Sequence, residues 1–135
     1  MFPASDWPVH VTIVPPFESG LDAADVAALV PRVPRIPLMA GERAVFGSRR
    51  QVPVTLIEPS DALLEVHIAL VDALEAAGAR IQDQRHIRDG YRPHASDQRS
   101  GALHPGAPAV VGEIAVIARE PHGMRRVAAR ARLTP

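Results

Sequence analysis

The stretch Pro8-Val9-His10-Val11-Thr12-Ile13-Val14-Pro15-Pro16-Phe17 is the starting point for interpreting the chain. Its β-branched and apolar residues, bounded by prolines, predict a β-strand. Side chains alternate between the two faces of a strand, so His10 and Thr12 would share one face, about 6–7 Å apart. Val11 and Ile13 would then point into a core on the other face. The strand would thus present a histidine and a hydroxyl group on one exposed surface.

The same pattern returns 84 residues later, in Pro93-His94-Ala95-Ser96. Strand geometry would again place the histidine and the hydroxyl on one face, and Arg92 would fall on that face too. Arg92 could bind a phosphate group there or be a solvated surface arginine. We therefore interpret the rest of the chain as a frame that brings the two His-x-Thr/Ser pairs together.

The composition indicates one globular domain covering residues 1–135, because 47% of the residues are hydrophobic. The absence of cysteine excludes disulfides and thiolate chemistry. The N-terminus does not resemble a signal peptide, and no apolar run approaches the roughly 20 residues that cross a bilayer. We expect a cytoplasmic protein without a membrane partner, monomeric by default.

The formal net charge is zero, which argues against binding long nucleic acid by bulk charge. All 15 basic residues are arginine, a side chain suited to bidentate contact with phosphate oxygens. A GC-rich genome would produce the same bias without any selection on function. A small anionic ligand in a local basic pocket remains compatible with the composition.

The remaining patterns predict an α+β fold built from hairpins rather than from a βαβ series. Asp22 would cap a helix, Gly41 and Glu42 would interrupt the first strand of a hairpin, and Gly78 would end the second helix. The predicted helices cover 22–30 and 61–78, a turn covers 47–50, and the predicted strands cover 36–46, 52–58, 91–96, 110–119 and 124–133.

The other histidines give no sign of a ligand set. His67 lies in the middle of the second helix beside its apolar stripe, where a structural histidine is favoured over a ligand. His86, His104 and His122 fall in predicted loops without ligand spacing to carboxylates or to each other. We expect no metal site.

Two histidines facing each other across a cleft can act as a general acid and a general base. A neutral one takes a proton from water or a ribose hydroxyl, and a protonated one gives a proton to the leaving oxygen. This division suits phosphodiester cleavage, requires no metal or cofactor, and leaves the hydroxyls free to bind phosphoryl oxygens. The motifs alone also allow His10 to be an exposed strand residue and His94 a loop residue.

The two motifs and their surroundings resemble the two-histidine (2H) phosphoesterase superfamily, which includes the bacterial 2′-5′ RNA ligase-like proteins and cyclic nucleotide phosphodiesterases. His10-Val11-Thr12-Ile13 matches the first family motif at every position, with similar prolines on both sides. Pro93-His94-Ala95-Ser96 is similar to the second motif. Phe46-Gly47, the strand over 54–58 and the helix over 61–78 are similar in order and spacing to the family's middle section.

The resemblance implies two pseudo-symmetric lobes of antiparallel sheet with flanking helices around a central cleft, with one motif on the central strand of each lobe. It implies that His10 and His94 are the catalytic pair, and that Thr12 and Ser96 hold phosphate. Asp97 departs from the family pattern, which has a hydrophobic residue there, and suggests a short or exposed second strand.

The resulting hypothesis is a metal-independent phosphodiesterase acting on a cyclic phosphate or 2′-linked phosphodiester of a small nucleotide or RNA end. Ligation is the same chemistry in reverse, and the sequence leaves open which histidine is the acid. A non-catalytic module that binds a nucleotide or phosphate is the alternative, and a structural domain with incidental motifs is a third.

Overall fold

The structure is a computed structural model that describes residues 1–3, 6–47, 49 and 51–135. Antiparallel strands dominate it, and its two α-helices of more than one turn are α1 and α2. The elements are β1 (Phe2–Pro3), β2 (Phe17–Glu18), α1 (Ala23–Ala28), β3 (Ile36–Phe46), β4 (Val52–Ile57), α2 (Asp61–Ala76), β5 (Arg80–Ile81), β6 (His94–Ser96), β7 (Pro108–Val111), β8 (Glu113–Arg119) and β9 (Met124–Arg132).

The strands of the described residues form three antiparallel sheets. The largest has the order β6-β4-β3-β7, the second has the order β1-β9-β8, and β2 pairs with β5. Helix α1 packs against β8 and β9, and α2 packs over the four-stranded sheet. The α+β class is confirmed, and each of the two larger sheets carries one helix.

Both helices begin where the sequence predicts. The carboxylate of Asp22 accepts a hydrogen bond from the backbone N–H of Asp25 (2.8 Å) and caps α1. The hydroxyl of Ser60 accepts one from the N–H of Leu63 (3.2 Å) and caps α2. Gly78 follows α2 with a φ of 89°, the left-handed backbone that favours glycine at a helix end.

The β3–β4 hairpin also follows the prediction. The register between the two strands shifts between Ala40 and Arg43, so the predicted interruption at Gly41 and Glu42 is a β-bulge. Positions 48 and 50 of the predicted turn lie outside the described residues.

The main core lies between α2 and the four-stranded sheet and extends to the three-stranded sheet. Its buried members are Ile36, Leu38, Ile57, Leu63, Val66, Leu70, Ile114 and Leu133. Val11 and Ile13 pack against this core, as predicted. Neither α1 nor α2 is long and apolar enough to span a membrane.

Three expectations about strands were wrong. The segment 110–119 is not one strand: it ends β7 in one sheet and supplies β8 in another, with Gly112 between them. The apolar pattern of this segment does not reveal the change of sheet, because periodicity reports burial and not the pairing partner.

The first motif is also not a strand. The backbone from Val9 to Pro16 joins none of the sheets formed by the described residues. The second motif does form β6, but β6 lies at the edge of its sheet and not at its centre. Propensity predicted extended backbone here, whereas strand pairing depends on a partner that the local sequence does not specify.

Candidate active site

His10 is held in a half-buried position by its own segment. Its Nδ1–H donates a hydrogen bond to the carbonyl oxygen of Pro8 (2.8 Å). The indole ring of Trp7 packs against the imidazole, with ring centroids 4.1 Å apart. Because a carbonyl only accepts hydrogen bonds, Nδ1 carries the proton in the neutral ring, and Nε2 is left with a lone pair.

His94 repeats this arrangement on β6. Its Nδ1–H donates to the carbonyl oxygen of Arg92 (2.8 Å), again two residues earlier in the chain. The ring of Phe46 meets the imidazole edge-on, with centroids 4.5 Å apart. No described residue forms a hydrogen bond with Nε2 of either histidine, so both nitrogens are available to a ligand.

The charge of His94 acts on the pKa of His10. Burial lowers the pKa of His10, the hydrogen bond to Pro8 acts in the opposite direction, and the charge of His94 lowers the pKa further. A positive charge on His94 therefore favours the neutral form of His10.

The other predicted site residues are close neighbours of these two histidines in the chain. Thr12 is exposed, and Ser96 is half-buried on β6, where it shares a face with His94. Arg92 is exposed, with its guanidinium carbon 4.8 Å from the ring centroid of Phe46. No described carboxylate forms an ion pair with Arg92, so its charge is not neutralised by the surrounding chain.

Asp97, which departs from the family pattern, is paired. Arg43 Nη1 and Nη2 donate to its two carboxylate oxygens at 2.6 and 2.7 Å. This hydrogen-bonded pair lowers the pKa of Asp97. β6 ends at Ser96, which agrees with the short strand expected from an aspartate at this position.

The backbone of the first motif is held by two aromatic side chains. Tyr91 donates from its hydroxyl to the carbonyl oxygen of Thr12 (2.8 Å). His67, fully buried in α2, donates from Nδ1 to the carbonyl oxygen of Ile13 (2.6 Å). The structural role predicted for His67 is therefore confirmed, and its partner is the first motif itself.

Sequence reasoning missed the roles of Phe46 and Tyr91 in this region. Phe46 is separated from His94 by 48 positions, and Tyr91 from Thr12 by 79, so neither contact has a local signal. The β3–β4 register (Phe46 opposite Val52) and the β4–β6 register (Val54 opposite Ser96) place Phe46 on the face that carries His94.

A cavity of about 1420 Å³ lies between the first motif and β8. Its lining includes His10 and Thr12 but neither His94 nor Ser96, so it is not the cleft expected between the motifs. Among the described residues, no three histidine or acidic side chains cluster as metal ligands would.

Comparison with known proteins agrees with this architecture. The model of the 2′-5′ RNA ligase superfamily matches residues 3–120. A solved structure described as a phosphoesterase superposes with a TM-score of 0.68 at 19% sequence identity, over 99% of this chain and 82% of that one. No curated protein matches the sequence significantly.

These matches define the class as an α+β fold shared with a solved phosphoesterase. The chain belongs to the 2′-5′ RNA ligase superfamily, whose members are 2H phosphoesterases.

Proposed function

We propose that the protein is a metal-independent phosphodiesterase that opens a cyclic phosphate, or a 2′-linked phosphodiester, of a small nucleotide or RNA end. His10 and His94 are the catalytic acid–base pair, and Thr12, Ser96 and Arg92 bind the phosphate. The chemistry needs no cofactor, because the two imidazoles supply both proton transfers.

The matched geometry of the two histidines carries this proposal. Each donates from Nδ1 to the carbonyl oxygen two residues earlier, each packs against an aromatic ring, and the charge of His94 lowers the pKa of His10. The backbone bonds fix the ring orientation and the tautomer, and they leave Nε2 for the substrate. Two imidazoles that are held alike suit a pair that passes protons in sequence.

His10 is the base in the hydrolytic direction. Its lowered pKa favours the neutral form, which takes a proton from the attacking water. The water oxygen bonds to phosphorus, the bond from phosphorus to a ribose oxygen breaks, and that oxygen takes a proton from His94. The product is a phosphomonoester, and in the reverse direction the two histidines exchange roles.

The hydroxyls and the arginine stabilise the charge that develops on the non-bridging oxygens. Thr12 and Ser96 each follow a catalytic histidine by two positions and can donate to these oxygens. The guanidinium of Arg92 stacks on Phe46 without a described carboxylate partner, which keeps its charge available. One such interaction is typically worth about a hundredfold to a thousandfold in rate.

The family and the charge of the chain support the proposed substrate class. The superfamily is named for 2′-5′ RNA ligation, and its structural neighbour is named a phosphoesterase. The net charge of zero favours a small substrate or an RNA end over a long nucleic acid.

Hydrolysis of a panel of 2′,3′-cyclic nucleotides and 2′-5′ dinucleotides, with a chelator present, tests the proposal. We expect turnover by the wild type and a loss of at least a hundredfold in His10→Ala and His94→Ala. His86→Ala is the matched control, because His86 is an exposed histidine that bonds only to Asp83 among the described residues.

Binding of a non-hydrolysable nucleotide to the same variants separates catalysis from binding. Turnover that survives in either histidine variant would contradict the two-histidine mechanism. A folded wild type that binds nucleotide without turning it over would indicate the non-catalytic binding module.

A further inference from the structure

His67 uses both of its ring nitrogens inside the protein. Nδ1 donates to the carbonyl oxygen of Ile13 (2.6 Å), and Nε2 accepts from the backbone N–H of Arg88 (2.8 Å). This pair of bonds is possible only for the neutral ring with the proton on Nδ1. Burial lowers the pKa of His67, although the bond to Ile13 opposes this effect, and the charge of Arg88 lowers it further.

Tyr91 lies flat against His67. The two ring centroids are 3.8 Å apart, and the ring planes differ by 3°. Burial raises the pKa of the Tyr91 phenol, so its hydroxyl keeps the proton that it donates to the carbonyl oxygen of Thr12. The stacked rings therefore hold two consecutive carbonyls of the first motif.

These bonds matter because no strand of the described chain pairs with the first motif. A strand would fix the backbone around His10 through ladder hydrogen bonds, but the described residues provide none for this segment. The side chains of His67 and Tyr91 supply the hydrogen bonds that the carbonyls of Thr12 and Ile13 receive.

The His67–Tyr91 pair is also connected to the segment that carries the second motif. Arg88 has a left-handed backbone (φ 55°), and its guanidinium bonds to Asp72 (2.9 Å) and Glu75 (2.6 Å) of α2. Tyr91 follows three residues later, and His94 three residues after that. The chain that carries His94 is thus anchored on α2 before it reaches the site.

We propose that the His67–Tyr91 stack is the brace that sets the position of the first histidine motif relative to the second. Both are positioning residues: they act on the backbone of the first motif and not on the substrate. The inference rests on the proposed function, because it assigns the brace to the same two-histidine site.

Tyr91→Phe is the first test, because it removes the hydroxyl and keeps the stacked ring. On a 2′,3′-cyclic nucleotide we expect kcat to fall about tenfold while KM stays within about twofold, since small displacements of a catalytic group cost rate more than binding. A wild-type kcat in a Tyr91→Phe protein would overturn the inference.

Two conservative variants of His67 separate its two hydrogen bonds. The amide of Asn lies near the position of Nδ1 and can still donate to Ile13, whereas the amide of Gln lies near Nε2 and can accept only from Arg88. Each variant loses the ring and one bond, so we expect similar losses of stability. If the stack positions the first motif, kcat of His67→Asn, which keeps the bond to Ile13, should be at least fivefold higher than kcat of His67→Gln. Equal kcat values would contradict the inference.

Leu74→Val is the matched control for stability. Leu74 is a buried residue of α2 that packs with Val26 and Ala79 and makes no hydrogen bond to the first motif. At a temperature where all variants are folded, kcat of this control should equal that of the wild type. A kcat loss in the control as large as in Tyr91→Phe would show a general effect of instability and would overturn the inference.

Proton NMR titration of His10 provides a readout that does not need turnover. If the wild type is inactive on every substrate, the proposed function fails. The titration alone then tests whether the His67–Tyr91 stack positions the first motif. A loosened first motif exposes His10, so its titration midpoint should move toward 6.5 in Tyr91→Phe and in His67→Gln. Unchanged midpoints in both variants would overturn the inference.

Discussion

Arg43 and Asp97 form a bidentate ion pair that joins β3 to the residue after β6, with N–O distances of 2.6 and 2.7 Å. The same guanidinium donates to the hydroxyl of Thr55 (2.9 Å), which donates in turn to the carbonyl oxygen of Leu103 (2.8 Å). Thr55 is fully buried. The network therefore neutralises a carboxylate beside the phosphate-binding Ser96 of the proposed site and ties it into the sheet.

Removal of the positive charge of Arg43 should weaken substrate binding. In Arg43→Met the carboxylate of Asp97, one residue after Ser96, loses its ion pair, and we expect KM for an anionic substrate to rise about two- to fivefold at low salt. Steady-state kinetics at low and high ionic strength measure this, and the rise should shrink in high salt. Adding Asp97→Asn should return KM to the wild-type value, whereas a double variant no better than Arg43→Met would exclude a charge effect.

The pH dependence of the reaction should report the lowered pKa of His10. Since kcat/KM follows the free enzyme, its acidic limb should have a midpoint below 6.5, the ordinary histidine value. Burial is the main cause, and the ring of Trp7 covers His10, so Trp7→Ala should move the midpoint upward. A wild-type midpoint above 6.5 would contradict the assignment of His10 as the base.

Stability should fall in mild acid because His67 is held neutral. Below its ordinary pKa of 6.5 the unfolded chain takes up a proton that the folded chain does not, so the free energy of unfolding decreases as pH falls. One such proton corresponds to at most about 1.4 kcal/mol per pH unit. Urea unfolding at pH 7.5 and 5.5 should show a larger loss for the wild type than for His67→Asn, and equal losses would refute the prediction.

Gly90 should tolerate no side chain. A Cβ there would overlap the carbonyl oxygen of Arg85, so Gly90→Ala must displace the turn that leads to Tyr91. We expect a loss of about 1–3 kcal/mol in the free energy of unfolding, together with reduced kcat. Gly20→Ala is the control, because nothing lies within 4 Å of its Cβ, and it should change stability by less than about 0.5 kcal/mol. Equal effects in the two variants would argue against the clash.

The amino-acid sequence was sufficient for features with a local physical cause. The caps at Asp22 and Ser60, the bulge after Ala40 and the left-handed Gly78 depend on neighbours within a few residues. Helical spacing predicted an apolar stripe on α2, and Leu63, Val66 and Leu70 of this helix are buried in the main core. The motifs around His10 and His94 indicated the superfamily because their residues are contiguous.

The pairing of strands depended on contacts that no local pattern encodes. The chain leaves one sheet for another at Gly112, and the extended residues around His10 pair with no strand of the described chain. Extended backbone is a local preference, whereas a strand also needs a partner with free hydrogen-bonding groups.

The sequence by itself determined the chemistry available: two histidines, each two positions before a hydroxyl, in a neutral chain without cysteine. Only the tertiary structure decided how these groups are held. His67 and Tyr91 reach the first motif across 54 and 79 positions, and Arg43 reaches Asp97 across 54. Buried His67 needs hydrogen-bond partners because it has lost contact with water. For all three contacts the fold alone determines which groups lie within hydrogen-bonding distance, because the partners are far apart in the chain.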